Sequence, residues 1–288
     1  MNSSFALLTL MRPKHWVKNL LIALPPVLAG KLHNADAIIQ LALGILSFSL
    51  MASSGYILND IRDIDRDRAH PKKMLRPLAA AAVKPIQALI FALLLLVIAI
   101  VLSWQISKWA VVVLGIYFIL NYTYSTFLKA LRLFDIVVLS SFYVIRLFYG
   151  SVILDAELTG WFLATTTLAF LTLSTHKRFM ECLVSKHDQL PGRDYVKADA
   201  PLLQIFSATY AVGTLVLLNM HAFFVLQVKS PVFFALVNLC SAGIAFAYFD
   251  HRKNHSDDPV ERVLKNPLLL VMGALLIGVY IWEVMTHL

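Results

Sequence analysis

Nine apolar runs separated by charged loops dominate this sequence, and few folds accommodate such a series. They fall at roughly 16–30, 37–58, 84–105, 109–127, 134–153, 160–179, 202–222, 231–249 and 267–286. Most approach the ~20 residues that an α-helix needs to cross the hydrocarbon layer. A backbone deprived of water must satisfy its own hydrogen bonds, so runs of this kind read as helices. With 59% hydrophobic and 15% charged residues, the chain belongs with polytopic membrane proteins and not with soluble ones. The expected fold is all-α: one membrane-embedded domain over residues 1–288, with about nine transmembrane helices and no linker. The first run is short and contains Pro25 and Pro26, so it is expected to kink or to lie partly in the interface. Arg12, Lys14 and Lys18 precede it and no small-residue cleavage site follows, which reads as a retained span and not a signal peptide.

The basic residues orient these spans. With the N-terminus in the cytosol, 21 of the 25 Lys and Arg residues fall in inner segments. Lys31, Lys108 and Lys229 lie outside, and Arg146 lies within a span. That asymmetry is a positive-inside signal for a multi-pass protein of the inner (plasma) membrane, with its charged loops on the cytosolic side. The net charge of +8 suits anionic lipid and anionic substrates and does not point to nucleic acid. The two cysteines, Cys182 and Cys240, are far apart and read as buried thiols.

Residues 59–77, NDIRDIDRDRAHPKKMLRP, hold four of the seventeen acidic residues and six of the basic ones. Each ionised carboxylate at a membrane boundary needs water, a counter-charge or a metal. If the preceding helix continues through Asp67, its ~100° step puts Asn59, Asp60, Asp63 and Asp67 on one face, with Asp65 pointing away. Three carboxylates and an amide form an all-oxygen set suited to Mg²⁺, which is often completed by water and substrate phosphate. Arg62, Arg66, Arg68, Lys72, Lys73 and Arg76 supply a surround that favours phosphate. The same composition also suits a solvated loop of mixed charge.

This stretch resembles the first aspartate-rich motif, N-D-x-x-D-x-x-x-D, of the UbiA-type membrane prenyltransferase superfamily, matched by Asn59, Asp60, Asp63 and Asp67. The continuation through His70, Pro71, Lys73, Arg76 and Pro77 is similar to its decaprenyl-phosphate phosphoribosyltransferase branch. That resemblance implies Mg²⁺ on Asn59, Asp60, Asp63 and Asp67, with the three aspartates catalytic. It also implies transfer of a 5-phosphoribosyl group from phosphoribosyl diphosphate to a polyprenyl (decaprenyl-like) phosphate.

Other segments extend the resemblance. Arg12-Pro13…Trp16…Lys18-Asn19 is similar to the branch's R-P-x-x-W-x-K-N, which implies that Lys18 and Asn19 face the substrate cavity; interfacial anchoring by Trp16 is the other reading. A Tyr and a Lys that face the diphosphate in the superfamily correspond to Tyr124 and Lys129, with Tyr122 the alternative tyrosine. Asp135 and Arg146, eleven residues apart, match a D-I…R pattern, but cannot touch within one straight helix. An intramembrane arginine needs a partner or a wet cavity, so Arg146 reads either as a structural pair or as a lipid- or ribose-phosphate site.

The loop after the sixth run separates two chemistries. Prenyl-transferring members carry a second aspartate-rich motif there. This chain instead has Lys177, Arg178 and Glu181, then Arg193 and Tyr195. One carboxylate among cations makes a poor metal cage and a better phosphate clamp. Asp188, Asp194 and Asp199 remain candidate ligands for a second metal. In the last inner loop, Asp257-Asp258-Pro259 reads as a helix start, and His251 and His255 as a solvated pair. Intramembrane prenylation of an aromatic acceptor, from a polyprenyl diphosphate donor, is the alternative activity. A lipid or ion transporter is a third reading, but transporters place ionisable groups near the bilayer midplane. Here only Arg146 is deep.

Overall fold

A computed structural model describes residues 3–69, 73–185, 187–190, 192–249 and 265–287. His70, Pro71 and Lys72, Lys186, and the 251–262 segment with its histidines and Asp-Asp-Pro lie outside the described residues. Among the described residues the architecture is all-helical, and one isolated β-bridge joins Gln189 to Val196. The chain forms two compact units: residues 1–128 with 145–158, and residues 129–144 with 159–288.

In the first unit, α1 (Ser3–Leu10) leads into a 3₁₀ helix, Pro13–Ala23, and then α2 (Leu24–Leu28). These are too short to span a membrane. The first apolar run is therefore broken into short helical pieces, because Pro25 and Pro26 cannot donate backbone hydrogen bonds within a continuous helix. Arg12, ahead of it, takes a left-handed backbone conformation (φ 53°).

The long helix α3 (Ala35–Arg62) starts where Asn34 Oδ1 accepts the Ala37 N–H at 2.8 Å, with Asp36 in the first turn complementing the helix dipole. It packs against α5 (Pro85–Ile106) through small and hydroxylated side chains. Ser47 donates to the Ala99 carbonyl at 2.8 Å, and Ser103 lies 2.7 Å from Ser47 and 2.6 Å from the Tyr149 hydroxyl. On α5, Ala88, Ala92, Leu95, Ala99 and Ser103 are buried in helical register. Ile86, Ile90, Leu93, Leu94, Val97 and Val101 face outward. Apolar side chains face outward while small residues bring helices together, as expected where lipid is the solvent. The unit is completed by α6 (Lys108–Thr126) and the last part of α7 (Phe134–Leu154).

The second unit holds the start of α7, α8 (Gly160–Val184), α9 (Ala200–Phe224), α10 (Pro231–Phe249) and α11 (Pro267–His287). Helices α8 and α9 pack along their length, and the Ser207 hydroxyl donates to the Thr172 carbonyl at 3.1 Å. Among the described residues, six helices are long and apolar enough to cross a membrane: α3, α5, α6, α7, α10, and α9 with the turn before it. Pro267–Glu283 is a shorter apolar stretch. Eight of the nine expected runs are helices, but a count of nine spans is not reproduced. The first run is broken, and α8 carries a polar sequence with Thr165-Thr166-Thr167, Thr172, Ser174 and Thr175.

Among the described glycines the closest approach is at Gly150 of α7, where an added Cβ would lie 1.9 Å from the carbonyl oxygen of Ile22. Gly150→Ala is expected to cost about 1–3 kcal/mol through overpacking. Thermal unfolding in detergent should show a lowered midpoint, and an unchanged midpoint would show that the 3₁₀ helix yields freely.

Candidate functional site

The helix does not run unbroken through the aspartate-rich stretch. Helix α3 ends at Arg62, Asp63 caps it (φ −96°, ψ 14°), and α4 covers Ile64–Arg68. The interruption is slight, because the Asp63 N–H still donates to Asn59 O at 3.0 Å and the Asp67 N–H to Asp63 O at 2.8 Å. Asp60 and Asp67 therefore still point the same way and are 3% and 2% exposed. Asp65 points outward, as its register requires. Asp63 is half-buried, with Arg62 and Arg66 at 3.9 and 3.8 Å. Asn59 Oδ1 accepts a long hydrogen bond from Arg62 at 3.4 Å.

Two buried carboxylates side by side repel, and desolvation raises the cost of ionising them. Guanidinium groups compensate here. One nitrogen, Arg76 Nη1, donates to Asp60 Oδ1 at 3.0 Å and to Asp67 Oδ2 at 2.6 Å. Arg12 Nη2 reaches the same Asp60 oxygen at 2.5 Å and lies over the Tyr56 ring, 5.3 Å from its centroid. Arg12, Asp60, Arg76, Thr9, Leu10, Leu75 and Pro77 line a hollow of ≈ 260 Å³.

Among the described residues no group of three or more His, Cys, Asp or Glu is arranged to hold a metal. The donor chemistry nevertheless fits Mg²⁺ in particular. That ion is commonly held by one or two carboxylates plus waters and substrate phosphates, not by a full protein cage. Two buried carboxylates already share one cationic nitrogen at their centre, so a cation is accommodated between them.

Deeper in this unit, Arg146 on α7 is buried. Its Nε donates to Asn19 Oδ1 at 2.9 Å, and its guanidinium lies 4.9 Å from the Phe48 and 5.4 Å from the Tyr117 ring centroids. Asn19 in turn donates to Ser49 Oγ at 2.9 Å. The arginine is thus stabilised by an amide and by ring faces that attract cations.

The second unit gathers a different set. Asp135 and Arg178 are both fully buried, with Arg178 Nε on Asp135 Oδ2 at 2.5 Å. Arg178 Nη1 also reaches Glu181 Oε2 at 2.5 Å. Arg193 comes from the following loop to Asp135 Oδ2 at 3.2 Å and Glu181 Oε2 at 3.4 Å. Tyr195 donates its hydroxyl to Asp135 Oδ1 at 2.6 Å and accepts the Leu133 N–H at 2.8 Å. Burial, and then the bond to the Asp135 carboxylate, push the Tyr195 pKa up and keep it a donor. Asp199 pairs with Arg132 and accepts the Val196 N–H at 3.0 Å. Ile136, Phe179, Met180, Cys182, Leu190 and Leu203 pack around Tyr195. Cys182 and Cys240 are buried free thiols, as expected.

The structure therefore brings Asp60, Asp67 and Arg76 together in one unit, and Asp135, Arg178, Glu181, Arg193 and Tyr195 in the other. Lys18 lies half-buried in the first 3₁₀ helix and Lys73 half-buried in a 3₁₀ turn, Lys73–Leu75. Tyr124 is half-buried near the end of α6, whereas Tyr122 is exposed. Lys129 sits in the turn Leu128–Ala130, and Lys177 is half-buried on α8. Arg178, read from the sequence as a phosphate ligand, is sealed from solvent. Arg193, with 23% of its side chain exposed, is the arginine of this cluster that reaches the surface. It borders a hollow of ≈ 420 Å³ with Gln189, Leu190, Gly192 and Asp194. Asp188 and Asp194 are exposed. Arg12 and Asn19 are site-building residues that spacing does not rank, although the resemblance turns Asn19 toward the substrate cavity. Each joins its partner across long sequence separations, and their one local signal is the R-P-x-x-W-x-K-N pattern.

The family model described as UbiA prenyltransferase family matches residues 21–270. The chain belongs to the UbiA prenyltransferase family. It is 35% identical over 179 residues to the decaprenyl-phosphate phosphoribosyltransferase of Mycolicibacterium smegmatis, covering 61% of this chain and 56% of that protein. It is 31% identical over 220 residues to the Corynebacterium glutamicum protein of the same name, covering 75% of this chain and 66% of that one. The chain thus spans between about half and two thirds of these relatives' length. The structure of a UbiA homologue from Archaeoglobus fulgidus bound to GPP and Mg²⁺ superposes with a TM-score of 0.68 at 18% identity, over 97% of this chain and 98% of that one. That likeness shows the fold. With six membrane-length apolar helices, this UbiA family member is a multi-pass membrane protein.

Removing one partner of the sealed pair leaves an uncompensated buried charge. Asp135→Asn is expected to cost about 3–5 kcal/mol. Thermal unfolding in detergent would reveal this, and a loss no larger than that of a surface substitution would count against the network. Burial opposes ionisation of Glu181, which lies beyond the apolar run of α8, but Arg178, Arg193 and Lys177 outweigh it and hold its pKa below the ordinary glutamate range. A carboxylate with a depressed folded pKa adds stability above its ordinary value, and loses it as pH falls through the folded one. Glu181→Gln should therefore be less stable at neutral pH. Its unfolding midpoint should also fall less than that of the wild type on acidification below pH ~4.

Proposed function

We propose that this protein transfers a 5-phosphoribosyl group from phosphoribosyl diphosphate to a polyprenyl phosphate, releasing diphosphate at the cytosolic face of the plasma membrane. The observation that carries this reading is the Asp135–Arg178–Glu181–Arg193–Tyr195 network. An ordinary prenyltransferase is expected to offer open carboxylates there for a second metal. Asp135 and Glu181 are instead bound to Arg178, whose side chain is 0% exposed, so exchange for an ion would uncover a buried charge. The names of the mycobacterial and corynebacterial relatives support the same donor.

In this reading the whole chain acts as one transferase. Asp60 and Asp67, helped by Asp63 and Asn59, hold a divalent cation, Mg²⁺ by donor type. When bound, that ion would neutralise charge on the diphosphate leaving group. Lys73 and Arg76 contact the phosphates, with Lys18, Tyr124 and Lys129 as further contacts. The bond from ribose C1 to the diphosphate oxygen breaks as charge at C1 becomes oxocarbenium-like. A lipid phosphate oxygen closes the new C1–O bond. That nucleophile is already anionic, so no strong general base is required. In the second unit Arg193 and Lys177 contact phosphate, with Arg178 and Tyr195 ordering the carboxylates that hold Arg193. Arg146 supplies positive charge at depth, suited to a lipid phosphate.

Purified protein given Mg²⁺, a polyprenyl phosphate and radiolabelled phosphoribosyl diphosphate should pass label into the organic phase. Asp60→Asn should lower the rate by about 10²-fold or more. Absence of label from folded protein, together with product from a polyprenyl diphosphate and an aromatic acceptor, would replace this reading by aromatic prenyl transfer.

A further inference from the structure

Arg12 belongs to no assigned part of the site, yet it makes one of the shortest contacts there. It reaches Asp60 Oδ1 at 2.5 Å, on the same oxygen that Arg76 approaches at 3.0 Å. Two guanidinium groups therefore converge on one carboxylate oxygen, and because Arg76 is shared with Asp67, Arg12 supplies the second positive charge that balances the two carboxylates. The two arginines are 25% and 30% exposed, whereas the carboxylates they cover are 4% and 3% exposed. The cations thus cover the carboxylates from the solvent side, and both line the same hollow.

The backbone of Arg12 adds a second observation. It is held at φ 53° and ψ 58°, a conformation that costs a non-glycine residue about 1–2 kcal/mol. Pro13 follows directly, so the strained residue hinges α1 to the 3₁₀ helix. Its side chain also lies over Tyr56. Asp60 and the Tyr56 ring hold the side chain, while the Arg12 N–H on Thr9 O at 3.2 Å and the His15 N–H on Arg12 O at 2.9 Å hold the backbone; of these contacts, the one with Asp60 is open to competition from a cation.

We propose that Arg12 is an exchangeable counter-ion. It neutralises Asp60 while the site lacks a divalent cation, and it turns to the diphosphate of the donor once Asp60 binds one. The inference rests on the reading that this site holds a divalent cation and a diphosphate, and is indifferent to what the diphosphate carries. Its physical basis is charge balance. The pairing of Arg12 with Asp60 opposes a metal and withholds the arginine from phosphate, so loss of either pairing favours the other. A metal and a diphosphate would then bind with positive coupling routed through one side chain.

This predicts effects of opposite sign in one variant. Mg²⁺ alone, titrated calorimetrically into the purified full chain in detergent, should bind Arg12→Gln about fivefold more tightly than wild type. Inorganic diphosphate, titrated at saturating Mg²⁺, should bind the same variant about tenfold more weakly. Arg12→Lys, which keeps the charge but not the fork, should fall between the two on both measures. It also guards against a folding defect in the glutamine variant. Tighter Mg²⁺ with unchanged diphosphate would reduce Arg12 to a repulsive charge and overturn the exchange. Weakening of both would make it a structural residue and overturn it as well. If the wild type binds no Mg²⁺ even with diphosphate, the reading of the site fails along with the inference.

Discussion

A carboxylate can be buried at a membrane boundary only if a positive charge is buried with it. That constraint organises both halves of this protein. In the first unit Arg76 places a single nitrogen between Asp60 and Asp67. In the second unit Arg178 bridges Asp135 on α7 and Glu181 one turn along its own helix. The two clusters solve the same electrostatic problem with different access to solvent. Arg12 and Arg76 remain partly exposed and Arg178 does not. An ion pair at the surface of a cluster can be exchanged for a ligand, whereas a sealed one acts as scaffold. This difference supports a chemical role for the first cluster and a positioning role for the core of the second.

Much of this arrangement is legible in the order of the amino acids alone. Hydropathy locates the helices to within a few residues, since a membrane leaves the backbone little alternative to intrahelical hydrogen bonds. Helical register correctly joins Asp60 with Asp67 and turns Asp65 outward. The separation of Asp135 and Arg146 along one straight helix likewise accounts for their having different partners.

What stays hidden is long-range or depends on backbone breaks. The Arg12–Asp60 pair spans 48 positions, and Arg193–Asp135 spans 58, so no local pattern contains either. The first apolar run has the composition of a span but not the geometry. Its two prolines divide it between a 3₁₀ helix and a short α-helix. Helix α8 shows the converse. Its threonines lower its hydropathy, yet it packs along α9 because hydroxyls such as Thr172 return their hydrogen bonds to the preceding turn. Gly150 also gives no local signal, since its requirement comes from the Ile22 carbonyl more than a hundred residues earlier.

The order of the second cluster along the chain bears on how the protein is made. Asp135 emerges from the ribosome first, then Arg178 and Glu181, and only later Arg193, Tyr195 and Asp199. Until Tyr195 arrives, the Leu133 N–H and one oxygen of Asp135 lack the partner they have in the finished fold. The start of α7 therefore lacks part of its finished hydrogen bonding while α8 is synthesised. The loop before α9 then completes both pairings together. Closure of this cluster thus waits for roughly sixty residues of translation beyond Asp135.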